Sequence, residues 1–261
     1  MKKLAVLAAL SVGLIVAFVL SPAALAATRS TADLTGNARI VEAFRSAFIV
    51  YWGSGDRAFD PETQRVVDYW FRYHVAKGVF AAALVVVLSV LGVLIWRAFL
   101  RASGLRAVIL AAGGILATGL ATLSLAAVMA NIHGMAAPFG SLLPLLLGDS
   151  DGPLAATLAS VRQQLAAGNN LPALDVITGD YVRFHAVMAA EGSIVAVALV
   201  ALTVLLWRRF AVASGRARHV LGAYGVFAPL LTLALIVIVI ANATTAAHPQ
   251  PGLEGFFAGG W

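Results

Sequence analysis

Four apolar runs, 74–96, 108–130, 185–207 and 220–240, constrain this 261-residue chain more than any other feature. Each holds about 21–23 residues, or about 32–35 Å as an α-helix, against a bilayer hydrocarbon core of about 30 Å. A segment inside lipid must satisfy its own backbone hydrogen bonds, so runs of this length predict transmembrane helices. Composition agrees, because 61% of residues are hydrophobic and only 11% charged, where a soluble domain carries about a quarter. The absence of cysteine excludes disulfides, thiolate metal sites, iron–sulfur clusters and covalent haem attachment through Cys-x-x-Cys-His. The net charge of +6 does not mark a nucleic-acid binder, since the basic residues fall in short loops between the apolar runs.

A fifth apolar stretch opens the chain. Lys2 and Lys3 precede residues 4–20, then Ser21, Pro22 and Ala24-Leu25-Ala26. A charged n-region, an apolar h-region and an A-x-A site predict a signal peptide, 1–26, cut after Ala26. Its long h-region leaves an uncleaved signal anchor as the alternative.

The two halves repeat. A shift of 111 positions places Arg72 on Arg183, Tyr73 on Phe184 and His74 on His185. The same shift places Trp96-Arg97 on Trp207-Arg208, Ser103-Gly104 on Ser214-Gly215, Asn131 on Asn242 and Pro138 on Pro249. Two spans per repeat give both copies one orientation, which predicts a pseudo-two-fold axis along the membrane normal. The expected fold is an all-α membrane protein, a signal peptide plus four transmembrane helices. The four form two duplicated helical hairpins in a four-helix bundle, with short extracytoplasmic helices.

Charge sets the orientation. Linkers near 97–107 and 208–218 carry Arg97, Arg101 and Arg106, and Arg208, Arg209, Arg216 and Arg218, with no acid. The positive-inside rule makes both cytoplasmic. The chain then divides into an extracytoplasmic segment 27–67, repeat 1 at 68–138, an extracytoplasmic loop 139–179, repeat 2 at 180–249 and an extracytoplasmic tail 250–261. The expected location is a bacterial cytoplasmic membrane. Residues 38–52 show a helical stripe of Ile40, Val41, Phe44, Phe48 and Ile49, with Arg39, Glu42 and Arg45 off it. Asp60-Pro61-Glu62 reads as the start of a helix that continues into the first span. FGSLLPLLLG reads as interfacial, PLAATLASVRQQLAAG as a surface helix, and 149–152 as a break between them.

Arg72 and Arg183, with the aromatic residues around His74 and His185, suit an outer interfacial belt, where arginines snorkel to lipid phosphates. Asn131 and Asn242 are interfacial too, at the expected ends of the second and fourth spans. His74 and His185 at matched depth would suit the axial ligands of a b-type haem. His74, His133 and His185 together are the candidate metal set. Lys77 and Glu191, the charges inside the expected spans, form a candidate intramembrane polar pair. Gly113, Ala117 and Ala121 form a small-residue stripe, and Pro229 should free a carbonyl in the fourth span. No catalytic set is present: there is no phosphate-binding loop, nucleophile elbow or His-Glu-x-x-His motif. No enzyme and no obligatory cofactor are expected.

DYWFRYHVAKG, NIHGMAAPFGSLLP and FFAGGW resemble segments of an uncharacterised family of membrane proteins from high-GC bacteria. That family is often labelled twin-arginine translocation pathway signal sequence domain protein. The resemblance brings no activity and no site residues, and the n-region here has Lys2-Lys3 in place of an Arg pair. The leading expectation is a binding, structural or sensory membrane component with its polar layer outside. The alternatives are a haem b or metal electron-transfer protein using His74 and His185, and a small-solute or ion conduit using Lys77 and Glu191. Partners would be membrane lipid, another membrane or extracytoplasmic protein, or further copies of the chain; nucleic acid is not expected.

Overall fold

The computed structural model describes residues 2–148 and 152–259, whose regular elements are all helices, with no strand among them. The helices are α1 (Lys2–Leu20), α2 (Pro22–Ala26), α3 (Asn37–Ser54), α4 (Pro61–Phe99), α5 (Gly104–Ala136) and α6 (Pro138–Leu142). They continue as α7 (Gly152–Ala166), α8 (Pro172–Val212), α9 (Gly215–Ala247) and α10 (Pro249–Phe257). Short 3-10 turns cover Ala32–Leu34 and Leu143–Leu146. Five of these helices, α1, α4, α5, α8 and α9, are long and apolar enough to cross a membrane. The four expected spans lie inside the last four, and α1 meets the same criterion. The sequence break placed at 149–151 and the terminal Gly260-Trp261 lie outside the described residues.

The chain forms two compact units. The first comprises Met1–Phe18, Val79–Met129 and Met188–Ala241. Its surface is apolar: Val79, Val86, Val90 and Val93 on α4 and Ile194, Val197 and Val200 on α8 are exposed. A water-soluble bundle would bury such faces, whereas a lipid-facing one shows them. Leu4, Leu7, Leu14, Ile15 and Phe18 of α1 pack on Leu84, Leu88 and Leu91 of α4. The small stripe of α5 permits close approach as expected. Ala117 is buried, a Cβ on Gly92 would touch it at 3.9 Å, and Ile95 lies over Gly113.

Pro229 sits inside α9 and has no N–H for the carbonyl of Gly225, four residues earlier. In hydrocarbon that orphaned carbonyl needs another donor, and the Trp207 indole N–H supplies it at 3.1 Å. At the matched site in the first hairpin, Trp96 lies flat against Gly114 and its N–H donates to the Tyr224 hydroxyl at 2.7 Å.

The second unit comprises Val19–Gly78, Ala130–Val187 and Asn242–Trp261. Its core joins Phe44, Phe48 and Tyr51 of α3 to Phe139, Leu142, Leu143 and Leu146, with Leu154, Leu158, Val161 and Leu165 of α7 and Leu253 and Phe257 of α10. The stripe on α3 is therefore a core face, as its periodicity implies. Within FGSLLPLLLG, expected at an interface, Phe139, Leu142, Leu143 and Leu146 turn into this core and are at most 1% exposed, while Pro144 and Gly148 are exposed. Arg45 leaves the α3 stripe and donates to the carbonyls of Leu145 (2.8 Å) and Leu147 (2.9 Å), which a 3-10 turn leaves open.

α4 starts as its sequence implies. The Asp60 carboxylate accepts the N–H of Glu62 (3.0 Å) and Thr63 (3.2 Å) and the Thr63 hydroxyl (2.6 Å). Burial works against ionisation there, but these hydrogen bonds outweigh it and hold the carboxyl below its ordinary value. Burial alone pushes the Tyr51 hydroxyl up to about 12.

Candidate functional site

The expected site residues gather in the second unit, at the end of each hairpin that carries the histidines. α4 brings His74 there, α5 brings Asn131 and His133, α8 brings His185, and α9 brings Asn242. Asn131 and Asn242 do not end their helices as expected. α5 runs on to Ala136 and α9 to Ala247, and both amides are buried. Each helix instead stops where a proline two residues on, Pro138 or Pro249, excludes continuation. The asparagines act sideways: Asn242 Oδ1 accepts from His185 Nδ1 at 2.6 Å, and Asn131 packs against Gly78.

His74 Nδ1 donates to the Trp70 carbonyl at 2.9 Å, and the ring lies edge-on to Trp70, with centroids 4.7 Å apart. Its Cδ2–Nε2 edge is pressed on α5, where a Cβ at Gly134 would come 2.2 Å from Cδ2 and 2.6 Å from Nε2. That edge would have to face a haem iron, so His74 and His185 do not present the equivalent axial pair that the repeat suggests. His133 is buried against the Phe184 ring at 4.4 Å and within electrostatic reach of both other imidazoles. Among the described residues, no three His, Asp or Glu side chains are disposed to share a metal ion.

Arg72, expected to snorkel to lipid phosphate, has acceptors within the protein. Its Nε donates to the Ala26 carbonyl at 2.8 Å and its Nη2 to the Thr31 hydroxyl at 3.4 Å. Arg183, its match in the second hairpin, is exposed and stands 3.6 Å from Asp180, whose other oxygen accepts the Gly140 N–H at 2.8 Å. Lys77 belongs to this unit, its ammonium 5.3 Å from the centre of the Tyr73 ring. Glu191 belongs to the first unit, where it is buried.

A cavity of about 440 Å3 opens beside His185. Tyr181, Phe184, His185 and Phe256 supply its rings, and Gly252 and Gly255 part of its floor. Among the described residues, no charged side chain lines it. Asn242 Oδ1 can only accept, so His185 Nδ1 carries a proton, and in the neutral imidazole the lone pair then lies on Nε2. The site thus combines apolar walls with a hydrogen-bond acceptor on a fixed tautomer.

Comparison with protein-family models, with curated proteins and with solved structures finds no match to the chain. Function must be read from the site alone.

The cavity and the Gly134 contact escaped the sequence reading. Gly134 had a local signal, a lone glycine directly after a buried histidine inside a long helix, which marks a close approach. The cavity had none, since its walls come from segments as far apart as residues 140 and 256.

Proposed function

We propose that the chain is a multi-pass protein of a bacterial cytoplasmic membrane, built from two copies of one helical hairpin. The second unit lies outside and serves as a binding module for a small molecule. The Arg-rich linkers face the cytoplasm, while 27–67, 139–179 and the C-terminal tail face out. Support for the duplication comes from matched bounds and matched geometry. Gly215 and Ala247 stand 111 positions after Gly104 and Ala136, and Gly104 and Gly215 take φ of +55° and +54°. The single observation that carries the binding role is the uncharged, aromatic cavity beside His185. A neutral apolar fluorophore such as 1-aminoanthracene should brighten with full-length protein in nanodiscs, saturating at one per chain. Gly255→Leu should remove that signal. The added side chain starts from a residue that lines the cavity, and nothing stands within 4 Å of a Cβ there. Brightening that never saturates, or that survives Gly255→Leu, would sink the binding role.

We also infer that α1 stays attached as a signal anchor, against the cleavage expected from Ala24-Leu25-Ala26. Those residues lie in a helix, whereas a peptidase needs an extended segment. Ala26 is fully buried, and its carbonyl, part of the bond that would be cut, accepts from Arg72. Intact mass should give the full 27.1 kDa chain. A purified chain beginning at Ala27 would overturn this.

A further inference from the structure

Resting on the reading of the second unit as a binding module, we propose that the cavity beside His185 binds a lipid-soluble phenol or quinol, held by its hydroxyl. Three constraints narrow the ligand to that class. First, among the described residues no Lys, Arg, Asp or Glu lines the cavity, so a phosphate, carboxylate or ammonium group would find no counter-charge among them. Second, Tyr181, Phe184, His185 and Phe256 present four flat rings around a space of about 440 Å3. That falls in the range of cavities that hold one small organic molecule, and flat rings favour an aromatic occupant through stacked or edge-on contact.

Third, the hydrogen-bond polarity is set. His185 Nδ1–H is committed to Asn242 at 2.6 Å, so the imidazole offers the ligand an acceptor, Nε2. An aromatic ligand that donates O–H satisfies it. A quinone, an ether or an aliphatic hydrocarbon leaves a nitrogen lone pair buried without a donor, at a cost typical of a lost hydrogen bond. The Tyr181 hydroxyl, seated against Gly252 where a Cβ would come within 2.6 Å, is a second polar group on a residue that lines the cavity. In the first hairpin Trp70 stands at the position matched to Tyr181 and donates to the hydroxyl of Ser141, a residue that lines the cavity, at 2.8 Å.

The test is equilibrium dialysis of decylbenzoquinol, kept reduced under argon, against full-length protein in nanodiscs, with empty nanodiscs as the partition blank. Its dimethyl ether, which has a methyl group in place of each O–H hydrogen, is dialysed in parallel with decylbenzoquinone, which lacks O–H without the added bulk and should be weaker by a similar factor. The expected result is one saturable quinol site per chain, with the ether at least about tenfold weaker, the equivalent of one hydrogen bond to a buried acceptor. His185→Phe, which keeps a ring and loses the acceptor, should weaken the quinol by a similar factor and abolish the difference between quinol and ether. Equal affinity for quinol and ether in the unmutated protein overturns the proposal without requiring any variant to fold. The 1-aminoanthracene measurement separates the two levels. Saturable dye binding with no quinol site rejects the ligand class and leaves the binding module standing, whereas loss of both rejects both.

Discussion

Phe139→Ala is expected to destabilise the second unit by about 3–5 kcal/mol, the usual cost of deleting a buried aromatic ring. The ring is 1% exposed and touches four others, Phe59 at 4.7 Å, Tyr51 at 5.5 Å, Phe44 at 5.9 Å and Phe48 at 6.5 Å between centroids. The four come from α3 and from the segment before α4, while Phe139 lies on α6, so the loss separates elements far apart in the chain. Because α6 begins at Pro138 and is only five residues long, it has little local structure to fall back on. The measurement is denaturant unfolding of the detergent-solubilised protein followed by near-ultraviolet circular dichroism. Phe139→Leu, which refills most of the volume, should recover more than half of the loss. A change below about 1 kcal/mol for the alanine variant would mean that this cluster does not hold the unit together.

Gly134→Ala should cost about 1–3 kcal/mol, an unusual penalty for a change that raises helix propensity at an interior helical site. The added methyl would sit 2.2 Å from His74 Cδ2, and the ring cannot simply swing away. Its Nδ1 is tied to the Trp70 carbonyl, and Trp70 and Tyr73 flank it. Combining Gly134→Ala with His74→Ala should therefore be less harmful than the two separate losses added together, by about 1 kcal/mol or more. Strict additivity would show that the close approach of α5 to His74 does not limit stability.

The sequence determined the membrane-crossing helices well because lipid imposes one demand, about 20 apolar residues in a self-bonded helix, that is written locally in 74–96, 108–130, 185–207 and 220–240. The start of α4 at Asp60-Pro61 was legible for the same reason: capping is a contact between residues two and three apart. What the sequence hid was long-range. The burial of Phe139 and Leu143 depends on α3 and α7, and an apolar segment beside a membrane looks the same whether it meets lipid or protein. Arg72 illustrates the limit at a single side chain. Beside an aromatic belt, lipid phosphate was its natural expected partner, whereas a backbone carbonyl 46 residues away accepts from its Nε. The asparagines failed differently: a residue type that often ends helices is equally suited to bond sideways when the helix runs on, and only the neighbour, His185 for Asn242, decides between them.

The two arginines at matched positions hold a lesson about what a copied gene can do. If the hairpins descend from one ancestor, Arg72 in the first has been claimed by the arriving chain, through Ala26, and Trp70 by the segment that leaves the hairpin, through Ser141. Their counterparts Arg183 and Tyr181 owe nothing to that task. One twin became the mooring, and the other was left free to diverge, its tryptophan exchanged for tyrosine and its serine for Gly252. Inherited symmetry here would be a starting stock of parts, and the working feature arises where the two copies stopped agreeing.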